Sequence, residues 1–258
     1  RAMQWLEGWV YRKADFVNAV TPGIARTLCD ERVVPAFKLL RLANGVDTEL
    51  FRPAAPDEEL IDRLGLSGKR IFLYQGTLGY AHALENTLRA AAILREERDI
   101  HFVFLGNGSE RAKLVRMATA LSLENTSFLD FVPVEQVADF LSIACCGLAS
   151  LRDIPIFQDA RPSKLFPILA SGKPVIFCGP KGETSRFLEE KTAGIVAPAD
   201  DPAALAAAIR EIAANPHLAV RLGENGRRYA EESLKWSKLV SDWIAELRSG
   251  EPPNRMVA

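Results

Sequence analysis

The stretch RIFLYQGTLGYAH, residues 70–82, decides the fold. A short apolar run ends at Gln75, two glycines follow, and a helical segment begins after them. Apolar runs of the same kind, separated by helical segments, recur along the chain as IHFVFLG, TSFLDF, CCGLASL, PVIFCG and GIVAP. Six strands that alternate with helices predict an α/β fold, in which helices cover both faces of a doubly wound parallel sheet.

The glycines that end three of these runs indicate where a ligand would bind. Gly76, Gly106 and Gly179 each follow directly on an apolar run. The carboxyl ends of parallel strands meet at one edge of a sheet, and ligands of open α/β sheets bind at that edge. We therefore expect the binding site there.

Charge and composition exclude several classes of protein. The 258 residues include 32 basic and 33 acidic side chains, so the charge balance gives no indication of a nucleic-acid partner. The four cysteines form no CxxC pair and the three histidines lie far apart, which predicts a reduced, cytoplasmic protein that needs no metal. No apolar run is long enough to span a bilayer. Because the chain starts at Arg1, within a helical pattern, we expect a fragment of a longer protein.

The first candidate segment is YQGTLGYAH, residues 74–82. Gly76 and Gly79 let a phosphate-bearing ligand approach the backbone, and Thr77 supplies a hydroxyl group. A turn between strand and helix that needs glycine for its dihedral angles explains the same residues equally well. The segment alone does not decide between the two.

The second candidate segment, LGNGSER, covers residues 105–111. Gly106, Asn107 and Gly108 follow a strand and precede a helix. The segment is not a P-loop, because no Gly-Lys-Ser/Thr follows, and it lacks the full GxGxxG spacing. Taken alone, the spacing favours plain turn chemistry.

The third candidate segment contains Ser163 and Lys164, between the long irregular loop RDIPIFQDAR and a short apolar helix. Backbone N–H groups, the helix dipole and an ammonium group would converge there, which suits a diphosphate. The alternative is a surface lysine whose stem covers apolar surface, but the long loop favours a functional role. With Ser163 as N-cap, Pro167 falls in the first turn, where proline is tolerated, so a short helix is expected.

The fourth candidate segment, KGETSRFLEE, covers residues 181–190 and follows the strand PVIFCG. Glu183 and Thr184 lie in the first turn of the helix that it predicts. A polar contact with a sugar and a solvated helix start are equally good interpretations.

The order and spacing of these segments resemble a known family, the retaining, nucleotide-sugar-dependent glycosyltransferases of family 4. The linker NGVDTELFRP is the most specific feature, and PSKLF is most similar to the branch that builds bacterial surface polysaccharide and lipopolysaccharide. The resemblance covers nearly the whole chain. Its other segments are ADFVNAVTPGIARTL, YQGTLGYAHALENTLRAAAIL, FVFLGNGSERAKL, ASGKPVI, AGIVAPADDPAALAAAI and GENGRRYAEESLKWSKLV.

The resemblance implies the GT-B architecture, two Rossmann-like domains that face each other across a cleft. Residues 1–45 would then be a remnant of the acceptor-binding N-terminal domain, and residues 46–58 the interdomain linker. The donor-binding domain would follow at 59–231. A helix that crosses back to the N-terminal domain is expected at 232–249, and a disordered tail at 250–258.

The resemblance also implies the function of the chain. It would carry the donor site of an enzyme that transfers a sugar, with retention of configuration, from UDP-sugar or GDP-sugar to a glycan or lipid-linked acceptor. No metal would be required. Association with the inner face of a membrane would occur through the rest of the N-terminal domain, and the fragment alone would be inactive.

Roles for individual residues follow from the same resemblance. Lys164 would stabilise the leaving nucleoside diphosphate, and Asp159 would be the second catalytic candidate. The main chain at Phe131 and Val132 would bind the base, and Glu183 and Thr184 would lie near the donor sugar. The remaining candidate donor contacts are Gly76, Thr77, Gly106, Asn107, Gly108, Arg152, Ser163 and Leu165.

Two departures from the family pattern support an alternative function. Thr77 and His82 stand where many members have an arginine and a lysine. Two glutamates are also usual in the third segment, where this chain has Asp159 and Pro167. The second of these glutamates commonly binds the ribose, a role that proline cannot fill. The alternative is a non-catalytic module, derived from a glycosyltransferase, that binds a nucleotide sugar or has a structural role.

Overall fold

The computed structural model describes residues 2–30 and 34–249, so the tail expected at 250–258 lies outside the described residues. It contains a small parallel sheet of two strands and a parallel sheet of six strands, which confirms the predicted doubly wound α/β fold. The small sheet is formed by β1 (Val17–Ala19) and β2 (Leu39–Arg41). The strands of the large sheet are β3 (Arg70–Gln75), β4 (Ile100–Leu105), β5 (Thr126–Leu129), β6 (Ala144–Ser150), β7 (Val175–Gly179) and β8 (Gly194–Pro198).

Helices connect these strands in the order that the sequence predicts. Two short 3-10 helices, Ala36–Lys38 and Tyr80–His82, lie before β2 and after β3. The α-helices up to β6 are α1 (Ala2–Lys13), α2 (Pro22–Asp30), α3 (Glu58–Leu64), α4 (Leu84–Ile93), α5 (Arg111–Ala120) and α6 (Val134–Ile143). Those after β6 are α7 (Pro155–Gln158), α8 (Leu165–Ala170), α9 (Glu183–Lys191), α10 (Pro202–Ala214), α11 (Pro216–Ser233) and α12 (Trp236–Ser249).

The strand order of the large sheet determines where a ligand can bind. The order is β5-β4-β3-β6-β7-β8, so the chain runs outward from β3 to one edge and then returns to continue on the other side of β3. The direction of winding reverses between β3 and β6. Loops diverge at such a point and leave a crevice at the carboxyl ends of the two strands.

Both faces of the large sheet are buried, as the near-continuous apolar strands require. Ile71 and Leu73 of β3 face a core that includes residues of α3, α6, α8 and α9. Phe72 and Tyr74 of the same strand face a second core, which includes residues of α4, α5 and α10. Because successive side chains of β3 point to opposite faces of the sheet, their alternation fixes which of them can reach the carboxyl edge from each of the two cores.

The N-terminal residues form a small unit on the small sheet. Val17, Ala19 and Leu39 are buried there with residues of α2. Thr21 accepts a hydrogen bond from the N–H of Ile24 at 3.1 Å and so caps the N-terminus of α2.

The segment predicted as a linker is packed against the large domain. Val46 bridges to Lys235, just before α12, and both Val46 and Phe51 are buried. Arg227 of α11 donates hydrogen bonds through Nη1 to the carbonyl oxygens of Thr48, Phe51 and Ala170, at 3.1, 2.9 and 2.7 Å. One guanidinium group thus joins the linker, α8 and α11.

Replacing Arg227 with alanine is expected to lower the free energy of unfolding by about 2–3 kcal/mol, since charge-assisted hydrogen bonds to three carbonyls are lost. Urea unfolding followed by circular dichroism measures the change. Arg221 is exposed on the same helix and provides the matched control, because Arg221→Ala should stay within about 0.5 kcal/mol of wild type. Equal effects of the two substitutions would show that Arg227 does not fix the linker.

Candidate functional site

A cavity of about 780 Å³ opens at the carboxyl edge of the sheet, next to the end of β3. One side of the cavity is formed by the linker and the start of α12, at Gly45, Asp47 and Trp236. The opposite sides come from the loop after β3, the start of α6 and the start of α8. The cavity brings together seven of the candidate residues, Gly76, Thr77, Gly106, Phe131, Val132, Ser163 and Lys164.

Lys164 supplies the positive charge of this cavity. Its ammonium lies 3.9 Å from the centroid of the Tyr74 ring and donates a hydrogen bond to the Tyr74 hydroxyl. A Cβ atom on Gly76 would lie 3.8 Å from the same ammonium. Within the described chain, no carboxylate lies within ion-pair distance of Lys164. The ammonium is therefore available to an anion that enters over Gly76.

Burial changes the protonation of the groups around Lys164. It lowers the pKa of Lys164 to about 7 and raises the pKa of Tyr74. Burial and the nearby Lys164 charge lower the pKa of His82 to about 4, against the opposing effect of its hydrogen bond to the Ser150 carbonyl. The His82 Nδ1 atom lies 3.1 Å from that carbonyl, and its Nε2 atom lies 3.5 Å from the Lys164 ammonium. A neutral His82 thus presents an acceptor nitrogen to the lysine.

The loops after β3 and β4 are joined through their backbones. The N–H of Gly76 donates to Leu105 at 2.9 Å, the N–H of Leu78 donates to Asn107 at 2.8 Å, and the N–H of Glu110 donates to Leu78 at 2.9 Å. Gly106 has a φ of 143°, and a Cβ atom there would overlap the carbonyl oxygen of Gly76. Close approach of two backbones therefore requires the glycine of the second segment.

Gly108 and Asn107 stabilise the turn after β4, as their spacing in the sequence favours. Gly108 has a φ of 156°, and a Cβ atom there would meet the backbone of Leu78. The Asn107 side chain accepts a hydrogen bond from the N–H of Gly108 at 2.8 Å. Neither residue lines the cavity, so their proposed contact with the donor stays a prediction.

Replacing Gly106 with alanine is expected to displace the Gly76 loop and to weaken nucleotide binding at least about tenfold, or about 1.4 kcal/mol. Gly68 is a matched control, because its φ is 75° but nothing lies within 4 Å of the position of a Cβ atom. Gly68→Ala should cost about 1–2 kcal/mol of stability through backbone strain alone and leave binding unchanged. Calorimetric titration and urea unfolding measure the two effects. Equal behaviour of the two variants would disprove the close-packing argument.

Helix α8 starts later than the sequence predicts. Lys164 is at the N-cap position and Leu165 is the first helical residue, so the prediction that Ser163 caps the helix is wrong. The physical reason is a preceding turn, in which the N–H of Leu165 donates to Pro162 and the N–H of Phe166 donates to Ser163. These two donors are therefore not free for an anion. The expected short helix does form, with Pro167 in its first turn.

The loop before α8 is less irregular than predicted, because it contains the one-turn helix α7. Pro155 is its first residue, and Ile154 before it has the extended conformation that a following proline favours. Asp159 follows this helix and contacts α2 rather than the cavity. Its carboxylate accepts a hydrogen bond from Thr27 at 2.8 Å, and its carbonyl oxygen accepts one from Thr21 at 2.7 Å. The catalytic role of Asp159 stays a prediction.

The Glu183 carboxylate already has cationic partners. It is buried and pairs with Arg161, and Arg186 lies 3.8 Å away. Thr184 donates a hydrogen bond to the carbonyl oxygen of Ala160 at 2.8 Å. Both residues therefore hold the loop before α8 against α9, and neither lines the cavity.

Two further candidate residues lie outside the cavity. Arg152 pairs with Glu85, and its Nε atom donates to the carbonyl oxygen of Tyr80 at 2.6 Å. These contacts hold the 3-10 turn after β3 in place. The Leu165 side chain is buried in the core. Contact of either residue with a donor stays a prediction.

Sequence reasoning missed residues at or beside the cavity, among them Tyr74 and Trp236. Tyr74 precedes the glycine loop by two positions, and only the fold brings its hydroxyl to Lys164. Trp236 was assigned to the crossover helix, but it also lines the cavity. A Cβ atom on Gly45 would lie 2.7 Å from its ring, so the linker glycine allows the indole to pack closely. The Asn44-Gly45 turn was the available signal.

The described residues contain neither a cluster of metal ligands nor a membrane-spanning helix. Residues 2–30 and 34–249 contain no group of three His, Cys, Asp or Glu side chains that could hold a metal ion. None of the helices in the same range has the length and apolarity of a membrane-spanning segment.

Known proteins similar to this chain include enzymes named as glycosyltransferases. It is 27% identical over 214 residues to "Probable glycosyltransferase WbjE" of Pseudomonas aeruginosa, an alignment that covers 82% of the chain and 53% of that protein. It is 28% identical over 182 residues to the O-antigen chain mannosyltransferase C of Escherichia coli, with 69% and 46% covered. The chain thus spans about half the length of these relatives.

A solved structure with the same fold is that of HepE from Anabaena, in complex with UDP-glucose. The TM-score is 0.84 at 16% sequence identity, and the match covers 96% of this chain and 67% of HepE. Such low identity establishes the shared fold only. The family model for glycosyl transferases group 1 matches residues 56–229, which is more than half of the chain. The chain therefore belongs to the group 1 glycosyl transferases, with the GT-B fold.

Proposed function

We propose that this chain carries the donor site of a retaining glycosyltransferase that uses a nucleoside-diphosphate sugar. The observation that carries the proposal is the Lys164 ammonium, which faces the cavity over Gly76 without a carboxylate partner in the described chain. A buried cation without an anionic partner is costly unless it loses its proton or binds an anion. A diphosphate supplies that anion.

The shape of the cavity supports the same class of ligand. Lys164, Gly76 and Thr77 contribute polar groups to its lining, and Phe131 and Val132 contribute apolar surface. A nucleoside diphosphate likewise combines charged phosphates with a flat base. The volume of about 780 Å³ is within the range of small-molecule sites.

The reaction follows from where the ammonium lies. When the sugar leaves the donor, negative charge develops on the terminal phosphate, and a cation already in place stabilises that charge without rearrangement. Lys164 provides this stabilisation, and His82 and Tyr74 hold its ammonium in position. We assign no metal to this step.

The proposal also includes the acceptor and the biological role of the enzyme. The similarity to an O-antigen chain mannosyltransferase supports a glycan acceptor and a role in bacterial surface polysaccharide synthesis. A lipid-linked acceptor and a location at the cytoplasmic face of the membrane complete the proposal. HepE binds UDP-glucose, which supports a nucleotide-sugar donor. The non-catalytic alternative has no supporting observation in the described site.

Calorimetric titration with UDP, GDP and their sugars, with UMP and GMP as controls, tests the proposal. At least one diphosphate should bind, and its monophosphate should bind at least about tenfold more weakly because it lacks the terminal phosphate. Absence of binding at millimolar nucleotide would contradict the proposed donor site.

A further inference from the structure

One carboxylate at the cavity has no partner in the described part of the chain. Asp47 and Glu135 are the two acidic residues that line the cavity among the described residues. The Asp47 carboxylate is engaged, because it accepts hydrogen bonds from the N–H groups of Glu49 and Leu50 at 2.9 and 3.0 Å. The Glu135 carboxylate forms no hydrogen bond or ion pair with other parts of the described chain. It is therefore free to accept hydrogen bonds from a ligand.

The fold places Glu135 in the wall of the cavity. Glu135 lies in the first turn of α6, and α6 and α8 pack on the same face of the sheet. The Lys173 ammonium, just after α8, donates a hydrogen bond to the carbonyl oxygen of Ser142 in α6 at 2.9 Å. The two helices are therefore neighbours whose first turns both line the cavity.

The order of groups in a nucleotide determines what lies at this position. If the diphosphate is at Lys164 and the base is at Phe131 and Val132, the ribose lies between them. Pro167 of α8 also lines the cavity and offers no side-chain hydrogen-bonding group. If one of these two helices supplies a side-chain acceptor for the ribose hydroxyls, that helix must therefore be α6. A carboxylate is the usual acceptor for ribose hydroxyls in nucleotide sites of parallel sheets.

We propose that Glu135 binds the ribose hydroxyls of the donor nucleotide and so selects ribonucleotides over deoxyribonucleotides. This assignment rests on the proposed function, since it requires a nucleoside diphosphate in the cavity. The free carboxylate accepts hydrogen bonds from the 2′- and 3′-hydroxyl groups, while the cation at the other end of the cavity binds the phosphates.

The test compares UDP or GDP, whichever binds wild type more tightly, with its 2′-deoxy and 3′-deoxy analogues by calorimetric titration. Wild type should prefer the ribonucleotide over at least one analogue by about tenfold or more, as expected for hydrogen bonds to a charged acceptor. Glu135→Gln should lose most of this preference. The ratio of affinities is the decisive quantity, because all three ligands carry the same charge and a general electrostatic effect of the substitution cancels.

Asp139 provides the matched control, since it is exposed on the same helix and does not line the cavity. Asp139→Asn should keep the wild-type preference. If Glu135→Gln also keeps that preference, the ribose assignment is wrong while the donor site stands. If wild type binds neither UDP nor GDP, the donor site and the ribose assignment are both wrong.

Discussion

Replacing Lys164 with alanine is expected to weaken the binding of a nucleoside diphosphate by roughly 100-fold, equivalent to about 3 kcal/mol. The substitution removes the ammonium that faces the cavity over Gly76, and no other lysine or arginine of the described residues lines the cavity. The Tyr74 hydroxyl carries no positive charge, and burial, the largest cause of the lowered His82 pKa, still disfavours a protonated His82 in the variant.

Lys181 is the matched control for this prediction. It is exposed after β7, at the same edge of the sheet, and it does not line the cavity. Lys181→Ala removes at least as much positive charge from the free chain and should reduce affinity by less than about threefold, since exposed charges are screened by salt. Calorimetric titration measures both variants, and circular dichroism confirms that both are folded. Equal losses would mean that Lys164 acts only through net charge.

The second large effect is the dependence of binding on pH. Burial lowers the pKa of Lys164 to about 7 in the free chain, and a bound diphosphate favours the protonated lysine. Affinity should therefore be highest below pH 7 and fall as the pH rises, by up to about tenfold per pH unit. A nucleotide sugar is the suitable ligand, because its phosphates do not titrate between pH 6 and pH 9.

A Lys164→Arg variant separates this effect from the titration of other groups. A guanidinium group stays protonated throughout this range, so the alkaline loss of affinity should disappear in the variant even if its affinity is lower. An identical pH profile in wild type and Lys164→Arg would contradict the assignment of the titration to Lys164.

The stability of the free chain should change with pH in the opposite direction. The folded-state pKa of Lys164 lies below the value of about 10.4 for an unfolded lysine, so above pH 7 the unfolded chain binds more protons than the folded chain. The contribution of Lys164 to the free energy of unfolding therefore rises from pH 7 to about pH 10. Urea unfolding of wild type and Lys164→Met, each at pH 7 and pH 9, measures this contribution as the difference between them. Affinity that falls while stability rises is a signature specific to a buried lysine that binds an anion.

The parts of the fold that depend on local pattern could be predicted from the sequence. Each strand of the large sheet is a short apolar run that ends at a turn, and the alternation with helices determines that the strands are parallel. The start of α2 at Thr21 and Pro22 is equally local, because an N-cap requires only nearby residues. The sequence correctly predicted that Gly76, Thr77 and Lys164 lie close together, because all three follow strands or loops at the same edge of the sheet.

Predictions failed or stayed untested where a contact depends on distant residues. Ser163 resembles an N-cap, but the turn from Pro162 to Leu165 moves the helix start by one residue. The contact between Tyr74 and Lys164 joins residues 90 positions apart, and the pair of Arg161 and Glu183 joins a loop to a helix across β7. Sequence spacing contains no information on which of these groups meet.

A crystal structure of the chain with UDP or GDP bound tests the central claim most directly. The terminal phosphate is expected to contact the Lys164 ammonium and the backbone at Gly76 and Thr77, with the base toward Phe131 and Val132. A nucleotide bound outside this cavity, or with its base at Lys164 and its phosphates elsewhere, would contradict the proposed donor site.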